Sequence, residues 1–370
     1  MAEYDPIQVL DLDGNVVNPD LEPEIADDEL RRLYTAMVRT RVLDERAMNL
    51  QRTGRIGFWV KCIGQEASHI GAAYALRDTD WIFPTYRDQG ILFLRGAPLH
   101  LIMSQAYGNA DDITQGRQMP VHYSFRAHNF VSISSPIGTQ IIQAAGAAIA
   151  ARIKGDDTVV MTFMGDGATS SNDFHSGMNF AAVRDAPCVF VCENNHWAIS
   201  VPVEEQLGIS NISLRAAGYG MPGHRVDGND LLAVIAVTRR CVEFAREGQG
   251  PSFIENVTFR IEGHSSSDDP SRYRSQEVVD EWKKRDPIDR FQKYLANRDL
   301  WDEAWGDEVR DEANEEIGEA IKKAEAVEPP PTRSIFEHVY AEVPAHLEEQ
   351  YEELAALSEP AADAEGEFPL

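Results

Sequence analysis

Val159-Val160-Met161-Thr162-Phe163-Met164-Gly165-Asp166-Gly167 and Cys188-Val189-Phe190-Val191-Cys192-Glu193-Asn194-Asn195 decide how this chain folds. Each opens as a strand-forming run and closes in small or polar residues. Between them, Asn172 to Val183 carries Phe174, Met178, Ala181 and Ala182 at helical spacing. A strand, a helix and a strand in this order make a crossover between parallel strands. The reading is an α/β fold, a mostly parallel sheet with helices on both faces. Asp166 and Asn195 then share the carboxyl edge of that sheet, where open α/β folds bind ligands. A carboxylate, a side-chain amide and carbonyls suit Mg²⁺, which takes few protein ligands and completes its shell with phosphate oxygens. Gly165 and Gly167 let the backbone come close to a phosphate. Gly-Asp-Gly alone is a common turn; its pairing with Asn-Asn after the next strand gives it weight.

The chain has 370 residues, 43% of them hydrophobic, which is enough for a large core. No apolar stretch is long enough to cross a bilayer, and the acidic start Met1-Ala2-Glu3-Tyr4-Asp5 lacks a targeting pattern, so a cytoplasmic location without membrane contact is expected. A net charge of -27 argues against a nucleic-acid partner. Seven Lys against 27 Arg, in a chain so acidic, fit either genome composition or a salt-adapted surface. Cys62, Cys188, Cys192 and Cys241 show neither zinc nor disulfide spacing, and Cys188 and Cys192, which flank one strand, read as buried thiols.

Three regions are expected. Residues 1–26, with Pro6, Pro19 and Pro23, read as an extended arm. Residues 27–335 form the α/β domain. Residues 336–370 form a helical extension ending in an acidic, disordered tail. Within the domain, Asp27-Asp28-Glu29 caps a helix to about Arg52, and Gln65 to Leu76 is a second helix. Trp81-Ile82-Phe83 is a short strand, followed by one helical stretch from Gly90 to Tyr107. Thr139 to Arg152 is a helix of small residues, read as tight packing rather than a subunit contact. A long loop follows Asn195 to Ile209, then a helix from Leu231 to Arg246, a strand from Pro251 to Phe259 and a polar loop from Gly263 to Ser275.

Five separated segments converge on one sheet edge: Tyr86-Arg87, Ser134-Ser135-Pro136-Ile137-Gly138-Thr139-Gln140, Gly165-Asp166-Gly167, Asn194-Asn195, and Gly263-His264 with the loop to Arg274. In this order they resemble the alpha subunit of the thiamine-dependent decarboxylase component of 2-oxo acid dehydrogenase complexes, over about residues 39–347. Tyr107-Gly108-Asn109, Gly116 to Tyr123, Arg225 to Asp230 and Val339 to Pro344 are most similar to its branched-chain members.

The resemblance implies a thiamine-diphosphate-binding fold, with thiamine diphosphate and Mg²⁺ as cofactors. It makes Asp166, Asn195 and the Trp197 carbonyl the Mg²⁺ ligands. Tyr86, Arg87, Ser135, Ile137, Gly165, Gly167, Ala168 and His264 join Asp166 and Asn195 around the cofactor, with His264 also a catalytic residue. Ser134, Pro136, Thr139 and Gln140 match a potassium-binding loop of some relatives. Ser265 occupies the place phosphorylated in mitochondrial members. Glu193 departs from the branched-chain pattern, which places a phosphate-binding arginine there, and agrees with pyruvate-type members. An acid at that place repels a diphosphate unless it turns away or pairs with a cation.

The resemblance further implies an oxidoreductase that decarboxylates a small 2-oxo acid and passes the acyl group to lipoyl on an acyltransferase core. The implied assembly is an α₂β₂ heterotetramer with a beta subunit that supplies the rest of the active site. A pyruvate or acetoin enzyme is the alternative, and a non-catalytic assembly or regulatory paralogue the remaining one.

Overall fold

The computed structural model describes residues 5–357. Helices α1 (Asp27–Arg52) and α2 (Glu66–Tyr74) precede strand β1 (Trp81–Phe83) and helices α3 (Gly90–Leu94) and α4 (Leu99–Tyr107). The central unit is α5 (Thr139–Lys154), β2 (Val160–Gly165), α6 (Asn172–Val183) and β3 (Cys188–Asn194). A small ribbon, β4 (Trp197–Ala198) and β5 (Val201–Pro202), leads into the single turn α7 (Val203–Gln206). Then come β6 (Gly223–Asp227), α8 (Leu231–Arg246) and β7 (Ser252–Val257), followed by α9 (Gln276–Lys283), α10 (Pro287–Ala296), α11 (Glu303–Glu325) and α12 (Ala345–Leu357).

Strands β1, β2, β3, β7 and β6 lie side by side in that order and every pair is parallel. Side chains of a strand alternate between its two faces, and here both faces are covered. Met161, Phe163, Val189, Val191 and Ile254 point to the layer that holds α1, α2, α8 and α11. Val160, Met164, Phe190, Cys192 and Phe253 point to the layer of α5 and α6. Double burial explains why β2 and β3 read as continuous apolar runs rather than alternating ones. All four cysteines are buried free thiols. No described helix is long and apolar enough to cross a membrane.

Most expected elements form where the sequence placed them, and the exceptions have physical reasons. The stretch from Gly90 to Tyr107 is two helices, because Gly96 takes a left-handed φ of 67° and Pro98 starts the second helix with a fixed φ. Helix α1 is not capped by its acids: Ala26 holds the N-cap position, and Asp27, Asp28 and Glu29 fill the first turn, where they face the positive end of the helix dipole. The loop after Asn195 contains the β4–β5 ribbon. The small residues of α5 divide: Ala144, Ala145 and Ala148 are buried in the sheet layer, while Gly146 meets nothing within 4 Å. On the buried side a Cβ at Gly177 of α6 would stand 2.9 Å from Ile141 of α5, so glycine lets these helices touch. The acidic tail beyond residue 357 lies outside the described residues.

The segment before α1 is seated rather than free. Val9 and Leu10 are fully buried, and Ile7 bridges Val226 at the sheet edge. The buried Asp230 carboxylate holds both ends of this arrangement. It accepts from Val9 N at 2.7 Å and Leu10 N at 2.6 Å, and caps α8 through Leu232 N and Ala233 N at 3.1 Å each. Asp230→Ala removes a helix cap and strands two buried amides, a cost of about 2–4 kcal/mol. Urea unfolding will show the lowered midpoint, and amide exchange of Val9 and Leu10 will accelerate; Asp230→Asn, which keeps an acceptor oxygen, will lose less.

Candidate active site

The carboxyl ends of β1, β2 and β3 and the segment after β7 enclose a cleft of about 400 Å³. Register explains the convergence. Gly165 pairs with Glu193, so Asp166, which follows β2, and Asn194-Asn195, which end and follow β3, emerge side by side. Gly165, Asp166, Gly167, Ala168 and Asn195 all line the cleft.

Asp166 begins the turn after β2 and is fully buried, yet neither carboxylate oxygen has a hydrogen-bond partner. Burial pushes its pKa up to about 6. A buried carboxylate with two free oxygens asks for a cation. Asn195 supplies the complementary donor set. Its Nδ2 donates to Gln65 Oε1 at 3.0 Å, which orients the amide, and its Oδ1 accepts from Trp197 N at 3.3 Å. The residue types and the two unpaired carboxylate oxygens therefore fit a hard divalent ion. The Trp197 carbonyl accepts from Arg260 Nη1 at 3.3 Å, and the buried Arg260 also donates to Ile199 O at 2.5 Å. The two glycines differ in their surroundings: Gly165 has open space at its Cβ position, whereas a Cβ on Gly167 would lie 2.9 Å from Ala198 Cβ. Gly167 admits the β4–β5 ribbon.

On the β1 side, Arg87 is nearly buried and donates to Lys61 O at 2.6 Å. Its Nη2 donates to the His264 carbonyl at 2.5 Å and lies 3.1 Å from His264 Nδ1. The Tyr86 ring meets His264 edge-on at 6.0 Å between centroids. Burial, helped by the charges of Arg87 and Arg260, lowers the His264 pKa from its ordinary 6.5 to about 4. His264 is thus a neutral imidazole at physiological pH, able to donate from one nitrogen and accept at the other. Its loop is tied down: Asp268 accepts from His264 N at 2.6 Å and from the Tyr273 hydroxyl at 2.5 Å. Arg274 reaches the Ile261 carbonyl at 2.7 Å.

The turn before α5 closes the third side. Ser134, Ser135, Ile137 and Gln140 line the cleft, whereas Pro136 and Thr139 stand outside its lining, with Thr139 Oγ1 donating to Pro136 O at 3.0 Å. Gln140 Nε2 donates to Phe163 O at 2.8 Å, and its buried Oε1 has no partner.

Residues 34–333 match the family described as dehydrogenase E1 component. The chain belongs to this family. Its members are oxidoreductases acting on 2-oxo acids. The chain is 42% identical over 349 residues to the mitochondrial 2-oxoisovalerate dehydrogenase subunit alpha of Mus musculus, covering 94% of this chain and 79% of that protein. It is equally similar, at 42% over 349 residues, to the Homo sapiens subunit, 78% of which is covered. It is 41% identical over 352 residues to the pyruvate dehydrogenase E1 component subunit alpha of Staphylococcus aureus (strain COL), covering 95% of this chain and 93% of that one.

This E1 chain holds further cleft residues that sequence reasoning missed. Phe58, Val60 and Ile199 make its apolar walls. Arg260 lies three residues past the end of β7, and a basic residue at that edge was the available signal. His122, whose Nε2 lies 2.5 Å from Ser135 Oγ, belongs to a stretch rich in histidine and aromatic residues, from His122 to Phe130. Glu193 also reaches the cleft; it is buried, and burial pushes its pKa up to about 7, so near neutral pH it carries much less than a full negative charge.

The unpaired Asp166 carboxylate makes a prediction about the isolated E1 chain. Its folded pKa of about 6 exceeds the model-compound 3.8, so the folded state binds more protons between these values and stability falls as pH rises through that window. The full loss is about 3 kcal/mol. Asp166→Asn removes this slope, so in ligand-free buffer the variant will gain stability relative to the parent between pH 4.5 and pH 7, as measured by urea unfolding at both values.

Proposed function

We propose that this chain is the alpha subunit of a branched-chain 2-oxo acid dehydrogenase, the half that holds the diphosphate end of thiamine diphosphate through Mg²⁺. The observation that carries it is the Asp166 carboxylate, buried with both oxygens free beside an oriented Asn195. When bound, thiamine diphosphate supplies an electron sink for cleaving the bond between a 2-oxo carbon and its carboxylate. Asp166, Asn195 and the Trp197 carbonyl hold the Mg²⁺. Arg87 offers its guanidinium to the phosphate oxygens, and neutral His264 donates one hydrogen bond beside it. Tyr86, Ser135 and Ile137 face the reacting end, with Phe58, Val60 and Ile199 excluding water. The free Gln140 Oε1 supports a K⁺ at the Ser134–Gln140 turn, stiffening that wall.

The catalytic carboxylate that starts the reaction belongs to a beta subunit in this reading, and the acyl product leaves on the lipoyl group of an acyltransferase core. Exposed Ile142 and Ile153 on α5 and Phe180 and Val183 on α6 support such an assembly, since monomers seldom expose grouped large apolar side chains. The agreement of Gly116 to Tyr123 and Arg225 to Asp230 with branched-chain members favours a branched substrate over pyruvate.

Calorimetry of the α/β complex will show Mg²⁺-dependent thiamine diphosphate binding, abolished in Asp166→Ala and weakened about 100-fold in Arg87→Ala, the scale of one charge-assisted phosphate contact. Binding untouched by Asp166→Ala refutes the metal assignment. On substrate, kcat/KM for 3-methyl-2-oxobutanoate will exceed that for pyruvate by roughly tenfold or more, the range set by extra methyl groups in a fitted pocket; the reverse order makes this a pyruvate enzyme.

A further inference from the structure

His69, Asp88 and Glu193 form a second donor cluster that the reading above does not use. One ligand atom from each lies within 4.8 Å of the others, and all three side chains are buried. They come from three elements: His69 from α2, Asp88 from the turn after β1, Glu193 from β3. His69 Nδ1 stands 3.6 Å from Glu193 Oε1. Neither ring nitrogen of His69 has a hydrogen-bond partner, and neither do Asp88 Oδ1 and Glu193 Oε1. Thus each of the three groups turns at least one unsatisfied atom toward the same buried point. Such atoms are rarely left bare, because each costs desolvation energy without return.

We infer that His69, Asp88 and Glu193 bind a divalent first-row transition cation, Zn²⁺ or Mn²⁺, beneath the cleft and separate from the Asp166 site. One imidazole with two carboxylates is a borderline donor set that suits these ions better than Mg²⁺ or Ca²⁺. Ligation at about 2.1 Å needs donor separations of roughly 3–4 Å, so the side chains draw inward by less than about 1 Å. The outer shell is partly in place, as Asp88 Oδ2 accepts from Thr85 N at 2.6 Å. Glu193 lines the cleft, which gives the ion a way in. The competing arrangement, a proton shared between Asp88 and Glu193, satisfies the carboxyls but leaves the His69 nitrogens bare. The bound ion ties together the turn that carries Arg87 and the strand that leads into Asn195, so it fixes the spacing of two residues assigned to the cofactor. The site stands whether or not that cofactor assignment holds, since none of its ligands belongs to the Asp166 set.

Elemental analysis of the full chain, expressed with Zn²⁺ and Mn²⁺ and dialysed against excess Mg²⁺, tests this. About one transition ion per chain is expected in the parent and in Asp166→Ala, and almost none in Glu193→Gln or Asp88→Asn, because metal affinity depends on deprotonated ligands. Both variants are isosteric, and circular dichroism with urea midpoints verifies that they fold. Titration of Zn²⁺ or Mn²⁺ into the chelator-stripped chain will raise the thermal midpoint of the parent but not of these two. A parent chain that retains no ion and gains no stability from either metal overturns the proposal, as does an ion lost with Asp166→Ala or kept in Glu193→Gln.

Discussion

The parallel pairing of β2 with β3 is the constraint on which the rest depends. Gly165 opposite Glu193 fixes where each strand ends, and so fixes that Asp166 and Asn195 leave the sheet as neighbours. A register slip by one residue would turn every side chain of a strand to the opposite layer. Here it would drive Met161 and Phe163 from one core into the other and separate Asp166 from Asn195. Core packing and the juxtaposition of these two side chains are therefore one requirement. The two buried faces of β2 and β3 secure it, and α6, seated on α5 through Gly177, completes the crossover that joins them.

Around that edge the chain accepts electrostatic cost. Asp166, Asp88 and Glu193 are carboxyls without water, and burial raises the pKa of each. Arg87 and Arg260 are guanidiniums enclosed beside them, anchored on the carbonyls of Lys61, His264, Trp197 and Ile199 rather than on these carboxylates. Groups arranged this way are preorganised for ligands they do not yet contact. Bonds to backbone oxygens hold both cations still, Arg260 Nε keeps a free donor, and the acids keep lone pairs free. Stability lost here is recovered elsewhere, in the double-sided core and in Asp230, which binds the N-terminal segment and α8 at once.

The fold and much of the site were legible because they obey periodic rules. Two apolar runs with a helical pattern between them mean a crossover unit, and Gly-Asp-Gly and Asn-Asn end the runs at the ligand edge. Helix limits at Asn172–Val183 and Leu231–Arg246 follow from spacing and from the capping residues Ser171 and Asp230. What sequence did not disclose depends on distant contacts. Nothing local marks Phe58 or Ile199 as cleft walls, and the neutral state of His264 comes first from burial and then from the charges of Arg87 and Arg260, which its own loop does not announce. Likewise the job of Gly167 is set by Ala198, thirty-one positions on, through a ribbon too short to show as a strand pattern.

Glu193 shows how three dimensions change the meaning of a single letter. From the sequence it was an acid placed to repel a diphosphate, and a mark of pyruvate-type members. In the fold it sits on β3 with Asp88 and His69 around it, and burial raises its pKa to about 7, so it is about half protonated near neutral pH. A carboxyl in that state repels a phosphate weakly, and a cation between the three groups would cancel the charge outright. The residue therefore speaks to how the floor of the cleft is neutralised. The apolar part of the cleft lies elsewhere, at Phe58, Val60, Ile137 and Ile199.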